Sequence, residues 1–372
     1  MTFISIVACD TYEITAVRRS LTAVLAPLGG METFVEPGMR VLLKPNLLSA
    51  AGLEKAVTTH PAIIQAVAEL VQDAGGRVLI GDSPAGPVDR TAEVWHSSGT
   101  AHAAAGTGAT LTPFDAVAWK RLGGQDYFIA RPVLEADLVI NLPKLKTHSL
   151  ALYTGAVKNL FGTIPGGRKR ELHLRAPGIA DFSGVLVDVL ELVRPGLTIM
   201  DGVIGQEGEG PGTRGTPRHY GCVAASTDPV ALDSALSAAM GFGPGQVLHL
   251  AQAAARALGV ADPEAIQILG QPEALSFGRV KLPSTHWYYR APAWISAPMY
   301  RSARLRPAVI ASRCAGCGQC AAVCPRDAIE PGQPPRFDMN LCVGCMCCAE
   351  VCTEGAIRAR RGLAARLVGA QG

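Results

Sequence analysis

The sequence predicts an α/β fold: a large domain with a mostly parallel or mixed sheet flanked by helices, plus a small α+β two-cluster ferredoxin-like domain. Three observations predict it. Short, nearly all-apolar runs alternate with helix-period segments over residues 1–283, as strands covered on both faces do. Polar residues recur directly after those runs. Nine of the eleven cysteines lie between Cys314 and Cys352.

The apolar runs are FISIVACD, RVLLKPN, RVLIGDSP, DLVINLPKLKTH, LTIMDGV, YGCVAASTDP and IQILG. The helical segments between them are THPAIIQAVAELVQDAG, with Ile63, Val67 and Leu70 on one stripe, then SGVLVDVLELV, DPVALDSALSAAM and HLAQAAARALG, the last with a glycine stop. Alternation of this kind builds a largely parallel sheet. The expected organisation is an α/β substrate or docking domain at 1–283, an aromatic and proline-rich connector at 284–312, a two-[4Fe-4S] module at 313–360 and a basic tail at 361–372. The connector, with its Trp and Tyr residues, is expected to lay aromatic side chains on the large domain. The formal charge of +3 is too small and scattered for nucleic acid. No 18-residue apolar run predicts a membrane span. The N-terminus, MTFISIVACDTYE, lacks the basic start of a signal peptide, and with the cysteine spacing this predicts a reducing, cytoplasmic location.

The polar residues after the strands would line one crevice at the carboxyl ends of the sheet. No GxGxxG follows the first strand and no GxxxxGKS/T occurs, so neither a Rossmann dinucleotide site nor a P-loop is expected. The stretch LPKLKTHSLALYTGAVKNLFG places Lys144, Lys146, His148, Lys158 and Asn159 close together. Lysines there could hold a carboxylate or phosphate, or stabilise developing negative charge; a lysine in a loop could equally be solvated. His148 is the best candidate proton donor, with a capping or core-edge ring as the alternative. Lys44, Asn46, Asp82, Asp201, Arg168 and Glu207 are the expected substrate-binding set. GTIPGGRKRELH, with Arg168, and GQEGEGPGTRGTP, with Glu207 and Glu209, read as long loops that either clamp an anion or stay solvated. Asp228 before Pro229 reads as a helix cap, His60 before Pro61 as a cap or a crevice residue, and Cys9 and Cys222 as buried, inert thiols.

CAGCGQCAAVCP and CVGCMCCAEVC each carry the C-x2-C-x2-C-x3-C spacing of bacterial two-cluster ferredoxins. In that pattern three thiolates wrap one cubane and the fourth crosses to the other. Cys314, Cys317, Cys320 and Cys352 are thus expected to hold one [4Fe-4S] cluster, and Cys342, Cys345, Cys348 and Cys324 the second. Cys347 is spare. Two clusters would bring the formal charge to about −1, and so small a module would need them to fold.

KPNLLS, THPAII, GDSPAG, LPKLKTHSLALYTGAVKNLFG and STDPVALD resemble a bacterial and archaeal family defined by a domain of unknown function, often fused to a two-[4Fe-4S] ferredoxin domain. The resemblance covers nearly the whole chain and implies fold and cofactors, with little about substrate. The expected function is an iron–sulfur oxidoreductase. An external low-potential donor (a ferredoxin, flavodoxin or reductase) would feed two clusters, and these would pass single electrons to a small anionic C=C or C=O substrate. The lysines would stabilise charge and His148 would supply a proton. The alternative is an electron-transfer or assembly subunit that docks on a separate oxidoreductase and has no substrate site.

Overall fold

The computed structural model describes residues 2–85, 90–176, 178–286 and 306–360. Most of the expected connector and all of the basic tail lie outside these residues. Strands are β1 (Thr2–Ala8), β2 (Arg40–Pro45), β3 (Arg77–Ile80), β4 (Thr110–Leu111), β5 (Val117–Leu122), β6 (Gln125–Ala130), β7 (Leu138–Leu142), β8 (Lys144–His148), β9 (Leu152–Thr154), β10 (Leu197–Gly208), β11 (Gly215–Ser226) and β12 (Ile266–Gly270). The main helices are α1 (Ile14–Leu25), α2 (Pro61–Asp73), α3 (Thr91–Ser97), α4 (Thr100–Thr107), α5 (Arg131–Glu135), α6 (Ala156–Asn159), α7 (Gly166–Arg175), α8 (Ile179–Val193), α9 (Pro229–Ala239) and α10 (Leu248–Ala255).

The large sheet runs β12-β1-β11-β10-β7-β2-β3-β4, with β8 on β10 and β9 on β8. It is mixed. β7, β2, β3 and β4 are parallel, while β11 runs antiparallel to both β1 and β10. Side chains alternate across it with the strand period of two. On β2, Leu42 enters the core under α8, α9 and α10, whereas Val41 and Leu43 enter the opposite core with α1 and α2. All three are fully buried, and burial of each such side chain stabilises by about 1.5–3 kcal/mol. Apolar runs without alternation are the sequence signature of a sheet packed on both faces. The α2 stripe behaves as its spacing predicts, with Pro61 at the first turn and His60 Nδ1 accepting the Ala62 N–H at 3.2 Å.

Three expectations about loops are corrected. KLKTH is strand β8, every residue of it buried. GTIPGGRKRELH is mostly helix, short 3-10 turns leading into α7. GQEGEGPGTRGTP is a hairpin arm: β10 and β11 pair out to Gly208↔Gly215, leaving only residues 209–214 as the turn. Long strand pairing absorbed glycines that read locally as a loop. The small region at 306–360 is β-rich, with the two-stranded pairs Arg306–Val309 with Ile357–Arg360 and Ile329–Glu330 with Arg336–Phe337, and short helices Gln319–Ala322 and Cys347–Val351. It sits on the 209–214 turn, where Thr213 Oγ1 donates to the Cys352 carbonyl at 2.8 Å. No helix among the described residues is long and apolar enough to cross a membrane.

Candidate functional site

The sheet's carboxyl edge carries two buried ion pairs. Lys44 Nζ, at the end of β2, donates to Asp82 Oδ1 at 2.7 Å, to the Pro45 carbonyl at 3.0 Å and to Asn159 Oδ1 at 3.3 Å. Asp82 Oδ2 in turn accepts the Leu47 N–H at 2.8 Å. Asn159 Nδ2 donates to Asn141 Oδ1 at 2.8 Å, which ties α6 to β7. The second pair is Lys144 Nζ with Asp201 Oδ2, 2.7 Å apart, joined by the Tyr12 hydroxyl at 2.7 Å from each. Tyr12 stacks on His60 at 3.6 Å between ring centroids, and Asp201 also accepts the His60 N–H at 2.9 Å. Asp201 is not at a strand end as expected. It lies inside β10, opposite Lys144 in register.

A cavity of about 240 Å³ opens between the large body and the small region. Asn46, Asp82, Lys146, Lys158 and Asn159 line it, so five of the expected site residues meet there, with Lys44 directly behind Asp82. Ser83, Thr154, Phe161, Lys169 and His173 complete the wall on the large body, and Cys347 and Glu350 reach in from the small region. Lys144 and Asp201 do not join them. Arg168 is on the surface beside Glu171, its guanidinium 3.8 Å over the Phe128 ring. Glu207 pairs with Arg218 at 2.8 Å and accepts the Lys281 N–H, away from the cavity. The expected clamp of a basic loop facing an acidic one is therefore absent among the described residues.

The cations of the wall differ in their partners. Lys146 Nζ donates only to neutral acceptors, Asn46 Oδ1 and the Val57 carbonyl. Burial, then the charges of Lys158 and Lys144, holds its amine well below the usual lysine range. Lys169 donates to the Ser83 and Pro84 carbonyls, which pins α7 over the 83–84 loop, and burial lowers it to about 8. Lys158 makes no hydrogen bond or ion pair among the described residues. His173 stacks on Phe182 with centroids 4.5 Å apart, and burial lowers its ring to about 4.

His148 is fully packed and does not line this cavity. Its Nδ1 accepts the Leu150 and Ala151 N–H groups at 3.0 and 3.1 Å, which puts the ring proton on Nε2. Nε2 lies 3.0 Å from Glu350 Oε1, angled away from a well-formed hydrogen bond. Burial, reinforced by Lys158, lowers the ring to about 4 despite Glu350. Burial alone would raise the Glu350 carboxyl, but Lys158 and then the His148 ring beside it outweigh burial and hold it below the usual carboxylate range.

Sequence reasoning missed Glu350 and Asp233. Glu350 was legible only as the one charged residue inside CVGCMCCAEVC. Asp233 belongs to STDPVALD, and its carboxylate accepts the Ala156 and Val157 N–H groups at 2.7 and 2.8 Å and the Tyr153 hydroxyl at 3.0 Å. It thereby starts the turn that carries Lys158 and Asn159. Asp228 caps α9 as its sequence predicts, and Cys9 and Cys222 are buried with thiols pushed up by desolvation.

The cysteine-rich region corrects the cofactor expectation. Among the described residues no group of three or more His, Cys, Asp or Glu is placed to hold a metal ion. The sets Cys314, Cys317, Cys320, Cys352 and Cys342, Cys345, Cys348, Cys324 thus do not form two cubane sites here. Cys324 and Cys352 each accept a backbone N–H at 3.2 Å, from Ala328 and Ala356. The two-cluster oxidoreductase and the electron delivery it required lose their structural basis.

Comparison with known proteins places these features in a family. Residues 41–238 match the family described as a domain of unknown function, DUF362, and residues 307–330 match the 4Fe-4S binding domain. The thylakoid-associated protein sll1697 of Synechocystis is 37% identical over 296 residues, which cover 75% of this chain and 87% of that protein. Among solved structures, the lactate racemase apoprotein of Thermoanaerobacterium thermosaccharolyticum aligns with a TM-score of 0.40 at 12% identity, over 62% of this chain and 55% of that one.

Proposed function

Because the chain belongs to the DUF362 family, with a ferredoxin-type iron–sulfur binding module fused to the family's domain, we propose that the cavity between the two is an enzyme site. Its ligand is a small molecule bearing a carboxylate or phosphate. The observation that carries this reading is Lys158. The buried lysines Lys44 and Lys144 each have an aspartate at 2.7 Å, while Lys158 faces the cavity with no hydrogen bond or ion pair among the described residues. An ammonium held in a partly desolvated wall attracts an oxyanion more strongly than one in water. Ser83, Thr154 and the Asn46 amide supply neutral polar groups around it, and Phe161 with Leu47 and Leu48 forms an apolar side. A few polar groups converging in an apolar concavity are what small-molecule sites are made of.

Titration calorimetry with phosphate and with pyruvate tests the reading. Binding of at least one is expected, weakened about tenfold or more in Lys158→Gln, the effect of losing one charge-assisted contact. Equal affinity in wild type and Lys158→Gln would overturn it.

A further inference from the structure

Resting on that reading of the cavity, we infer that Lys146 is a nucleophilic lysine that condenses with the carbonyl group of a small oxo acid, Lys158 holding the acid's carboxylate. The geometry of the amine carries this. Lys146 Nζ projects from β8 into the cavity wall and donates to two acceptors, Asn46 Oδ1 and the Val57 carbonyl. A neutral amine has two N–H groups, so both are used and the lone pair remains. An ammonium would have a third N–H with no acceptor among the described residues, a costly arrangement in a buried setting. No aspartate or glutamate pairs with Lys146, unlike Lys44 and Lys144. The charged groups that act on it from the surrounding elements are Lys158 on α6, Lys144 on its own strand, Glu350 from the small region and Asp82 after β3. Burial and the two cations dominate and favour the neutral form.

In the proposed step the Lys146 lone pair forms a bond to the carbonyl carbon. The carbonyl oxygen then leaves as water with the two amine protons, and a C=N bond remains. No electrons are gained or lost overall, and no co-reactant is needed. Once protonated, the imine draws electron density from the carbon beside it, which is the use enzymes make of such lysines. The carboxylate requirement follows from Lys158, and the size of the acid from a cavity of about 240 Å³.

The test is borohydride trapping. The full chain is incubated with pyruvate or glyoxylate, reduced with borohydride, and digested for peptide mass mapping. In parallel, binding of the same acids and of phosphate is measured without reductant. The expected result is a reduced adduct on Lys146 about tenfold or more above that on any other lysine, lost in Lys146→Arg and diminished in Lys158→Gln. The wild-type map alone identifies the labelled lysine, so the test survives a variant that does not fold. Binding of the acids with no adduct, or with adducts spread over other lysines, would overturn the nucleophilic role and leave the anion site standing. Absence of binding by every probe, with no adduct, would bring down both readings.

Discussion

At the residue scale, one glycine shows how tightly the site is built. A Cβ on Gly162 would come within 2.1 Å of Asp82 Oδ1 and 2.6 Å of Lys44 Nζ. Only a residue without a side chain lets the GAVKNLFG segment approach the buried pair. Gly162→Ala must therefore displace one partner of an ion pair that is nearly inaccessible to water. Breaking such a pair leaves an uncompensated buried charge and costs about 3–5 kcal/mol. Urea unfolding should show a loss of that order in Gly162→Ala; a midpoint unchanged from wild type would mean the pair relaxes without strain. The motif's final glycine, which in the sequence could be no more than a turn, is a steric requirement of a contact with the end of β2 and the segment after β3, far away in the chain.

At the element scale, α6 is a single turn, too short to hold itself together in water. Asp233 supplies what it lacks. Its carboxylate accepts the first two N–H groups of α6, and so α9 fixes the turn that presents Lys158 and Asn159. Burial pushes this carboxyl up to about 7, against the three donors that pull it down. Asp233→Asn would set an amide N–H₂ against a backbone N–H. The expected cost is about 1–3 kcal/mol, the penalty of one buried unsatisfied donor. Anion binding should weaken as well, because Lys158 loses its mounting. Thermal unfolding and phosphate titration on the variant check both; an affinity equal to wild type would separate Asp233 from the site. STDPVALD and GAVKNLFG, read separately in the sequence, are two halves of one contact.

At the scale of the whole molecule, several histidines are buried neutral. Burial lowers His148 and His173 to about 4 and His249 to about 3, against about 6.5 in an unfolded chain. Glu350 favours protonation of His148 and His173, but desolvation and Lys158 prevail. Between pH 6.5 and 4 the unfolded chain binds protons on these rings that the folded chain refuses. Stability is therefore fully present above about pH 6.5 and is lost as the pH falls toward 4. At full effect the His148 and His173 rings each contribute on the order of 3 kcal/mol, and His249 somewhat more. The melting temperature should drop between pH 7 and pH 5, and His173→Gln should flatten part of that slope. A melting temperature constant over this range would show that the rings can charge where they lie.

The sequence by itself determined the α/β class, the strand runs and the cap at Asp228, and it named Asn46, Asp82, Lys146, Lys158 and Asn159 among a wider set of candidates from which the fold gathers these five. It could do so because two-face burial leaves unbroken apolar runs and the sheet's carboxyl edge collects the polar residues that follow them. The tertiary structure alone decided which cations are neutralised and which are free. Lys144 and Lys146 stand two residues apart on one strand, yet one meets Asp201 and the other meets only neutral oxygens, a difference set by residues more than fifty positions away in the chain. It also decided that the lysine stretch is a buried strand, that the glycine-rich segments are helix and hairpin, and that no group of cysteines among the described residues is placed to hold a metal ion. Spacing fixes which side chains can meet along one segment. Where their charges are compensated depends on what the rest of the fold packs against them.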